Sequence, residues 1–222
     1  MIPTLTKVER KQPLKKTTAR GNKKTPQYNI LALKVFIHVV SLALICELYY
    51  QALNDNLGAD PVEAVLHFTG IGAFNLLILS LLVTPLIKYF KAVSLMKVRR
   101  LLGLYSFSYA LCHILSFLAF EVQFDWQLLL EEIIERPYIT VGMTAFVILF
   151  LLAITSISSI KKLMGSRWQR LHYWIYPALL FIALHFLWSV KSEIIEPSLY
   201  FFISFIVLYL RKEKITRWLS FK

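Results

Sequence analysis

The sequence contains 222 residues, of which 57% are hydrophobic, and its mean hydropathy is +0.59. This composition excludes collagen-like and disordered chains and argues against a soluble globular domain. The apolar runs match a hydrocarbon layer of about 30 Å, which takes about 20 helical residues to cross. Strands are disfavoured because the runs are continuous rather than alternating. The sequence therefore predicts an all-α integral membrane protein.

Six apolar runs follow a basic N-terminal tail. The tail, 1–29, is too long and polar for a secretory signal, and no small-residue cleavage site follows it. The sixth run is the weakest, because its apolar core of about 12 residues covers only about 18 Å of helix. We predict a six-helix bundle over 30–212 and a second tail over 213–222. The predicted spans are 30–51, 65–87, 101–120, 139–160, 171–190 and 197–212.

The charges separate onto opposite sides of this bundle. Of the 25 Lys and Arg residues, 22 lie in the N-terminal tail, in the loops 88–100 and 161–170, or in the segment from Arg211 to the C-terminus. The other three loops hold ten of the thirteen Asp and Glu residues. Because Lys and Arg collect in cytoplasmic loops, both termini are predicted to be cytoplasmic. The net charge of +12 is therefore a topology signal that also favours anionic lipid, and nucleic-acid binding is not expected.

Two further features of the sequence carry less information. The external loop 121–138 has room for a short amphipathic helix and is a candidate docking surface. Cys46 and Cys112 both lie in apolar runs, where a cysteine is typically a small buried hydrophobe. We find no internal repeat in the sequence.

All five histidines lie in the predicted spans or at their edges. Ionisable residues are costly in lipid, so each histidine is a candidate for function. Neutral imidazole is also a common axial ligand of heme iron. The alternative is a histidine that only hydrogen-bonds to a neighbouring helix, and five histidines in six spans make that alternative less favoured. The five are His38, His67, His113, His172 and His185.

Depth along the helices groups these residues. His185 follows His172 by about 20 Å along the helix axis, and His113 lies about 18 Å into its own span, at nearly the depth of His185. His113 and His185 are therefore the predicted axial pair for one heme in the outer half of the bilayer. At the inner level His172 lacks a histidine partner, so its second ligand would be His38, an unusual ligand, or none. His67 lies near the outer site as a third histidine.

The facing of the two histidines in the fifth span is less favourable. On an ideal helix His172 and His185 point about 140° apart. A kink at Pro177 would bring them closer to one face, which permits two stacked hemes without requiring them.

Four arginines mark the inner ends of the third and fifth spans: Arg99, Arg100, Arg167 and Arg170. The positive-inside rule explains them fully. Contacts with anionic groups, such as heme propionates or a flavin phosphate, are the functional alternative.

Several segments resemble one known family. It is the heme-binding membrane subunit of the bacterial periplasmic protein-methionine-sulfoxide reductase system, within the ferric reductase-like transmembrane group. The resemblance covers residues 30–215 and is carried by LGADPVEAVLHFTG (57–70), RRLLGLYSFSYALCH (99–113), ERPYITVG (135–142), GSRWQRLHYWIY (165–176) and HFLWSVK (185–191).

The resemblance implies a b-type cytochrome of the bacterial inner membrane with no substrate chemistry of its own. Its electrons would come from the quinone pool or a cytosolic flavin reductase. They would pass to a periplasmic molybdopterin-containing catalytic subunit that reduces methionine sulfoxide in oxidised proteins. One or two hemes b are implied, together with FMN, for which no motif marks a site.

The resemblance also assigns residues. The heme ligands fall on His113, His172 and His185, while His38 and His67 occupy matching positions with less defined roles. The third span has one histidine where NADPH oxidases have two, which leaves the number of hemes open.

Two other functions stay open. The first is a stand-alone ferric or quinone reductase-type cytochrome. We expect no flavin- and nicotinamide-binding domain beyond Lys222, and therefore a separate electron donor. The second is a transporter or a non-redox membrane assembly partner whose histidines only pack. The sequence has no paired half-helices interrupted by glycine or proline, which would favour a transporter.

Overall fold

The structure is a computed structural model that describes residues 27–91, 93–190 and 193–220, without the side chains of 27–29. Within these ranges all regular elements are helical. The predicted tail 1–29 lies almost wholly outside the described residues. The α-helices are α1 (Gln27–Leu53), α2 (Pro61–Phe90), α3 (Met96–Ser116), α4 (Trp126–Glu135), α5 (Pro137–Ile154), α6 (Ser158–Met164), α7 (Ser166–His172), α8 (Ile175–Ser189), α9 (Ile195–Leu210) and α10 (Lys212–Leu219).

Five helical segments are long and apolar enough to cross a membrane, and they correspond to the first five predicted spans. The sixth prediction, 197–212, corresponds to α9, which has 16 residues. At about 1.5 Å per residue α9 covers about 24 Å, less than a typical hydrocarbon layer. The all-helical membrane class is confirmed, whereas the sixth span and the cytoplasmic termini stay predictions. The five segments are Ile30–Leu53, Pro61–Phe90, Val93–Glu121, Pro137–Ile154 and Ser166–Ser189.

The bundle is built from two extensively packed helix pairs, α2 with α3 and α5 with α8. The largest buried cluster joins the pairs through α2, α8 and α9, where Phe74, Leu77, Leu179 and Val207 are each almost fully buried. By contrast, α1 is mostly exposed along its length. The two pairs therefore form the most extensively packed part of the bundle.

A proline in α2 leaves free a carbonyl that a residue at the end of α9 binds. Pro85 lies inside α2 and has no N–H to donate to the carbonyl of Leu81, four residues earlier. Arg211, just after α9, donates to that carbonyl instead, from Nε at 3.0 Å and from Nη2 at 2.5 Å. The side chain is 2% exposed. From the sequence, Arg211 counts only as one of the basic residues that indicate the topology. In the structure it also links the end of α9 to α2.

This exchange of donors predicts coupling between Arg211 and Pro85. We expect Arg211→Met to lower the free energy of unfolding by about 1–3 kcal/mol, because a buried carbonyl loses its partner. In a Pro85→Ala background the loss should be smaller, because the backbone N–H that this substitution introduces can donate to the same carbonyl. Unfolding of the detergent-solubilised variants measures both losses, and equal losses in the two backgrounds would contradict the assignment.

The fifth predicted span is interrupted. Helix α7 ends at His172 and α8 begins at Ile175. Pro177 explains the position of the break, because it cannot donate to the carbonyl of Tyr173 and its ring collides with that carbonyl. The break therefore lies between the two histidines of this span.

The loop 121–138 contains the predicted short helix. α4 begins after Asp125, whose carboxylate accepts from the N–H groups of Gln127 and Leu128, a regular N-terminal cap. Trp126, Leu130 and Ile134 are exposed and lie one turn apart on the helix. The helix is confirmed, and its role as a docking surface stays a prediction.

Candidate functional site

Two histidines from different helix pairs face each other inside the bundle. The rings of His113 on α3 and His185 on α8 have centroids 6.2 Å apart and planes at 88°. Nδ1 of His113 lies 2.9 Å from the carbonyl of Leu66, and Nδ1 of His185 lies 2.8 Å from the carbonyl of Tyr138. Because a carbonyl only accepts, each Nδ1 carries the hydrogen in the neutral ring. Each Nε2 is then unprotonated and has a lone pair for a metal.

The helix opposite each histidine presents a glycine to the ring. A Cβ on Gly70 would lie 3.2 Å from Nδ1 of His113, and a Cβ on Gly142 would lie 2.6 Å from Nδ1 of His185. Contacts shorter than 3.0 Å essentially never occur for a real Cβ. The two glycines therefore allow the rings to approach the backbone that holds them.

The two helix pairs repeat one arrangement. In each pair the histidine follows the carbonyl that it binds by 47 residues, and the glycine follows that carbonyl by one helical turn. This repeat is not visible in the sequence, because it rests on three positions in each half and one of them acts through its backbone. The glycines themselves lie in segments 57–70 and 135–142, which had already carried the family resemblance.

The spacing of the pair would suit a metal ion held between the two rings. Imidazole nitrogens bind metal ions at about 2.0–2.1 Å, so two rings on opposite sides of one ion have centroids about 6 Å apart. The observed separation is 6.2 Å. Among the described residues no group of three or more His, Cys, Asp or Glu side chains could hold a metal ion. Two imidazoles alone suit an iron whose other four ligands come from a porphyrin.

His172 lies at the end of α7, away from this pair. Its Nδ1 is 3.1 Å from the carbonyl of Trp168, whose ring stacks on the imidazole at 3.9 Å. Nε2 is buried and has no hydrogen-bond partner within the described ranges. Arg99 lies near enough for its charge to act on the imidazole. This environment suits Nε2 as a metal ligand. Among the described residues, no other histidine lies opposite it as a second ligand.

The two remaining histidines have other partners. Nδ1 of His38 on α1 lies 2.6 Å from the hydroxyl of Tyr105. Nε2 of His67 lies 3.4 Å from a carboxylate oxygen of Glu196, and both side chains are about half exposed. The ring of His67 also contacts Phe186, which follows His185 in the chain. Neither histidine belongs to the facing pair, His113 and His185. The assignment of His38 and His67 as ligands stays a prediction.

Comparison with known proteins identifies the family. The protein-family model described as ferric reductase like transmembrane component matches residues 69–183. The chain is 42% identical over 178 residues to the protein-methionine-sulfoxide reductase heme-binding subunit MsrQ of Xanthomonas axonopodis pv. citri, which covers 78% of this chain and 82% of the relative. It is 38% identical over 187 residues to MsrQ of Klebsiella pneumoniae, with coverages of 84% and 94%.

The chain belongs to the MsrQ family. This membership confirms the resemblance that the sequence segments indicated. Together with the five candidate spans, it also confirms the predicted location, a multi-pass position in the bacterial inner membrane. The ferric reductase-like match includes His113, His172 and both glycines of the site, and it ends just before His185. The MsrQ relatives are named as heme-binding subunits. Heme is the cofactor that the facing pair fits.

Proposed function

We propose that the chain is a transmembrane b-type cytochrome that passes electrons to a periplasmic molybdopterin-containing methionine sulfoxide reductase. The observation that supports this proposal best is the facing pair, His113 and His185, with ring centroids 6.2 Å apart and both Nδ1 atoms engaged by carbonyls. The relatives named as heme-binding subunits of that reductase support the same role. In this proposal the chain has no substrate chemistry of its own.

The chain's own residues prepare the pair for a metal. The carbonyls of Leu66 and Tyr138 fix the tautomer and the orientation of the rings, and such hydrogen bonds raise the basicity of the ligand nitrogen. Gly70 and Gly142 leave room for the two rings to lie directly against helices α2 and α5. A heme iron bound between the rings would supply reversible one-electron transfer.

We extend the proposal to a second heme at the inner level, held by His172. Its buried, unpartnered Nε2 and the engagement of its Nδ1 by Trp168 support this assignment. The second ligand stays open. One heme or two is therefore a measurable property of the purified protein.

The direction of electron flow rests on the topology. We propose six spans over 30–212, with α9 as the sixth and both termini in the cytoplasm, on the strength of the charge asymmetry. Electrons then enter from the quinone pool or a cytosolic flavin reductase, and FMN is proposed as an additional cofactor. Reporter enzymes fused after residue 222 and within 121–138 test the topology, and periplasmic activity of the first fusion would overturn it.

A pyridine hemochrome assay on the purified protein tests the cytochrome itself. We expect Soret and α bands and one or two hemes b per chain. His172→Ala should leave one heme where the parent has two. A protein without these bands, even after hemin is added, would overturn the proposal and favour a non-redox assembly partner.

The ferric reductase-like match also supports an alternative function. In this alternative the chain is a ferric or quinone reductase-type cytochrome that has no protein acceptor. Repair of oxidised periplasmic methionine in a deletion strain separates the two functions. Loss of repair supports the proposal, and intact repair supports the alternative.

A further inference from the structure

The buried end of Arg211 has unused hydrogen-bond donors. Two of its nitrogens donate to the carbonyl of Leu81, but Nη1 is buried and has no partner in the part of the chain that the structure describes. Thr84, three residues after Leu81 on α2, has a buried Oγ1 that also lacks a partner there. Residues three apart lie on the same helix face. Unsatisfied polar atoms are thus concentrated where α2 meets the end of α9.

Two further cations lie close to Arg211. Arg99, near the start of α3, and Lys214 on α10 are both near enough to interact with its charge. Burial lowers the pKa of the Lys214 ammonium, and the neighbouring Arg211 and Arg99 lower it further. Helix α10, which carries Lys214, contacts the bundle through Trp218, whose ring stacks on Tyr173 with centroids 6.2 Å apart.

This group of cations forms no ion pair with a described side chain. The ion pairs between described side chains join His67 with Glu196, Lys88 with Glu213, and Arg136 with Glu132. None of them includes a member of the group. Partly buried like charges are costly unless an anion and its hydrogen bonds compensate them. An external anion would meet both needs, since it accepts from the spare donors and neutralises the cations.

We propose that Arg99, Arg211 and Lys214 bind a phosphate group. The guanidinium fork matches the oxygens of a phosphate. The site also lies at the boundary between the apolar α9 and the polar α10, the level at which basic pockets between membrane helices bind lipid head groups. The phosphate can come from an anionic phospholipid or from a soluble phosphate ester. The proposal does not depend on the histidine assignments.

The test uses the full-length protein in nanodiscs and measures ligand-dependent thermal unfolding. One arm compares phosphatidylcholine discs with discs that also contain phosphatidylglycerol. The other arm titrates FMN, with riboflavin as the control that lacks the phosphate. The test variant is Arg99→Gln combined with Lys214→Gln, which leaves the Arg211–Leu81 contact in place. The matched control is Lys97→Gln combined with Lys212→Gln, which removes the same charge from exposed positions.

We expect the parent and the control to be stabilised in at least one arm, and the test variant to bind about tenfold more weakly, as the loss of a charged contact implies. The responding arm identifies the source of the phosphate. Equal responses of the test variant and the control would overturn the site. A loss of heme absorbance in the test variant that does not depend on added phosphate would also overturn the site, because the three cations would then bind a heme carboxylate. Absence of heme from all samples would count against the cytochrome but not against this site.

Discussion

Replacing His113 with glycine is expected to remove most of the six-coordinate heme absorbance of the facing pair. His113 and His185 approach one point from different helix pairs, with ring centroids 6.2 Å apart. No third side chain of the described residues forms a metal-binding group with them. Loss of one ring therefore leaves a five-coordinate iron or no iron. We expect at least a severalfold loss of the heme bound by this pair, and His185→Gly should give the same result.

Two comparisons separate ligand loss from misfolding. Cys112→Ala changes the residue beside His113 on the same helix and should keep the spectrum of the parent. Imidazole added to the His113→Gly protein should restore a six-coordinate spectrum, because the cavity left by the side chain matches the added ligand. An unchanged spectrum in His113→Gly would show that the facing pair does not bind the heme.

The pairing itself could be predicted from the sequence, because it depends on regular geometry. A constant rise per residue places His113 and His185 at similar depths in their spans, and lipid disfavours any histidine that has no task. The depth of His172 in its span does not identify a second ligand for it. A partner at that level depends on side-chain conformations and on ligands, and neither follows from helical spacing.

Other parts of the site could not be predicted, because they act through the backbone. The carbonyls of Leu66 and Tyr138 leave no trace in residue type. The freed carbonyl of Leu81 follows from Pro85 by simple stereochemistry, but only the tertiary structure shows that Arg211 satisfies it. A charge that topology rules explain in full can thus have a second, local role.

The two glycines distinguish a positioning role from ordinary helix packing. Alanine is favoured over glycine in a helix by about 1 kcal/mol, so a neutral site should gain stability from the change. Gly103 on α3 is such a site, because its added Cβ would meet only Ser80 Oγ at 3.6 Å. A Cβ on Gly70 would approach His113 at 3.2 Å, and a Cβ on Gly142 would approach His185 at 2.6 Å. The three positions therefore form a graded series.

We expect Gly142→Ala to cost about 1–3 kcal/mol through overpacking and to lower severalfold the heme bound by the facing pair. The His185 ring cannot retreat without losing the carbonyl of Tyr138, which it binds at 2.8 Å. Gly70→Ala should have a smaller effect, because a shift of a few tenths of an ångström relieves it. Gly103→Ala should keep full heme content and unfold at the same or a higher temperature. Hemochrome assays and thermal unfolding of the three variants measure the series. If all three behaved alike, the glycines would only pack the helices and would not position the histidines.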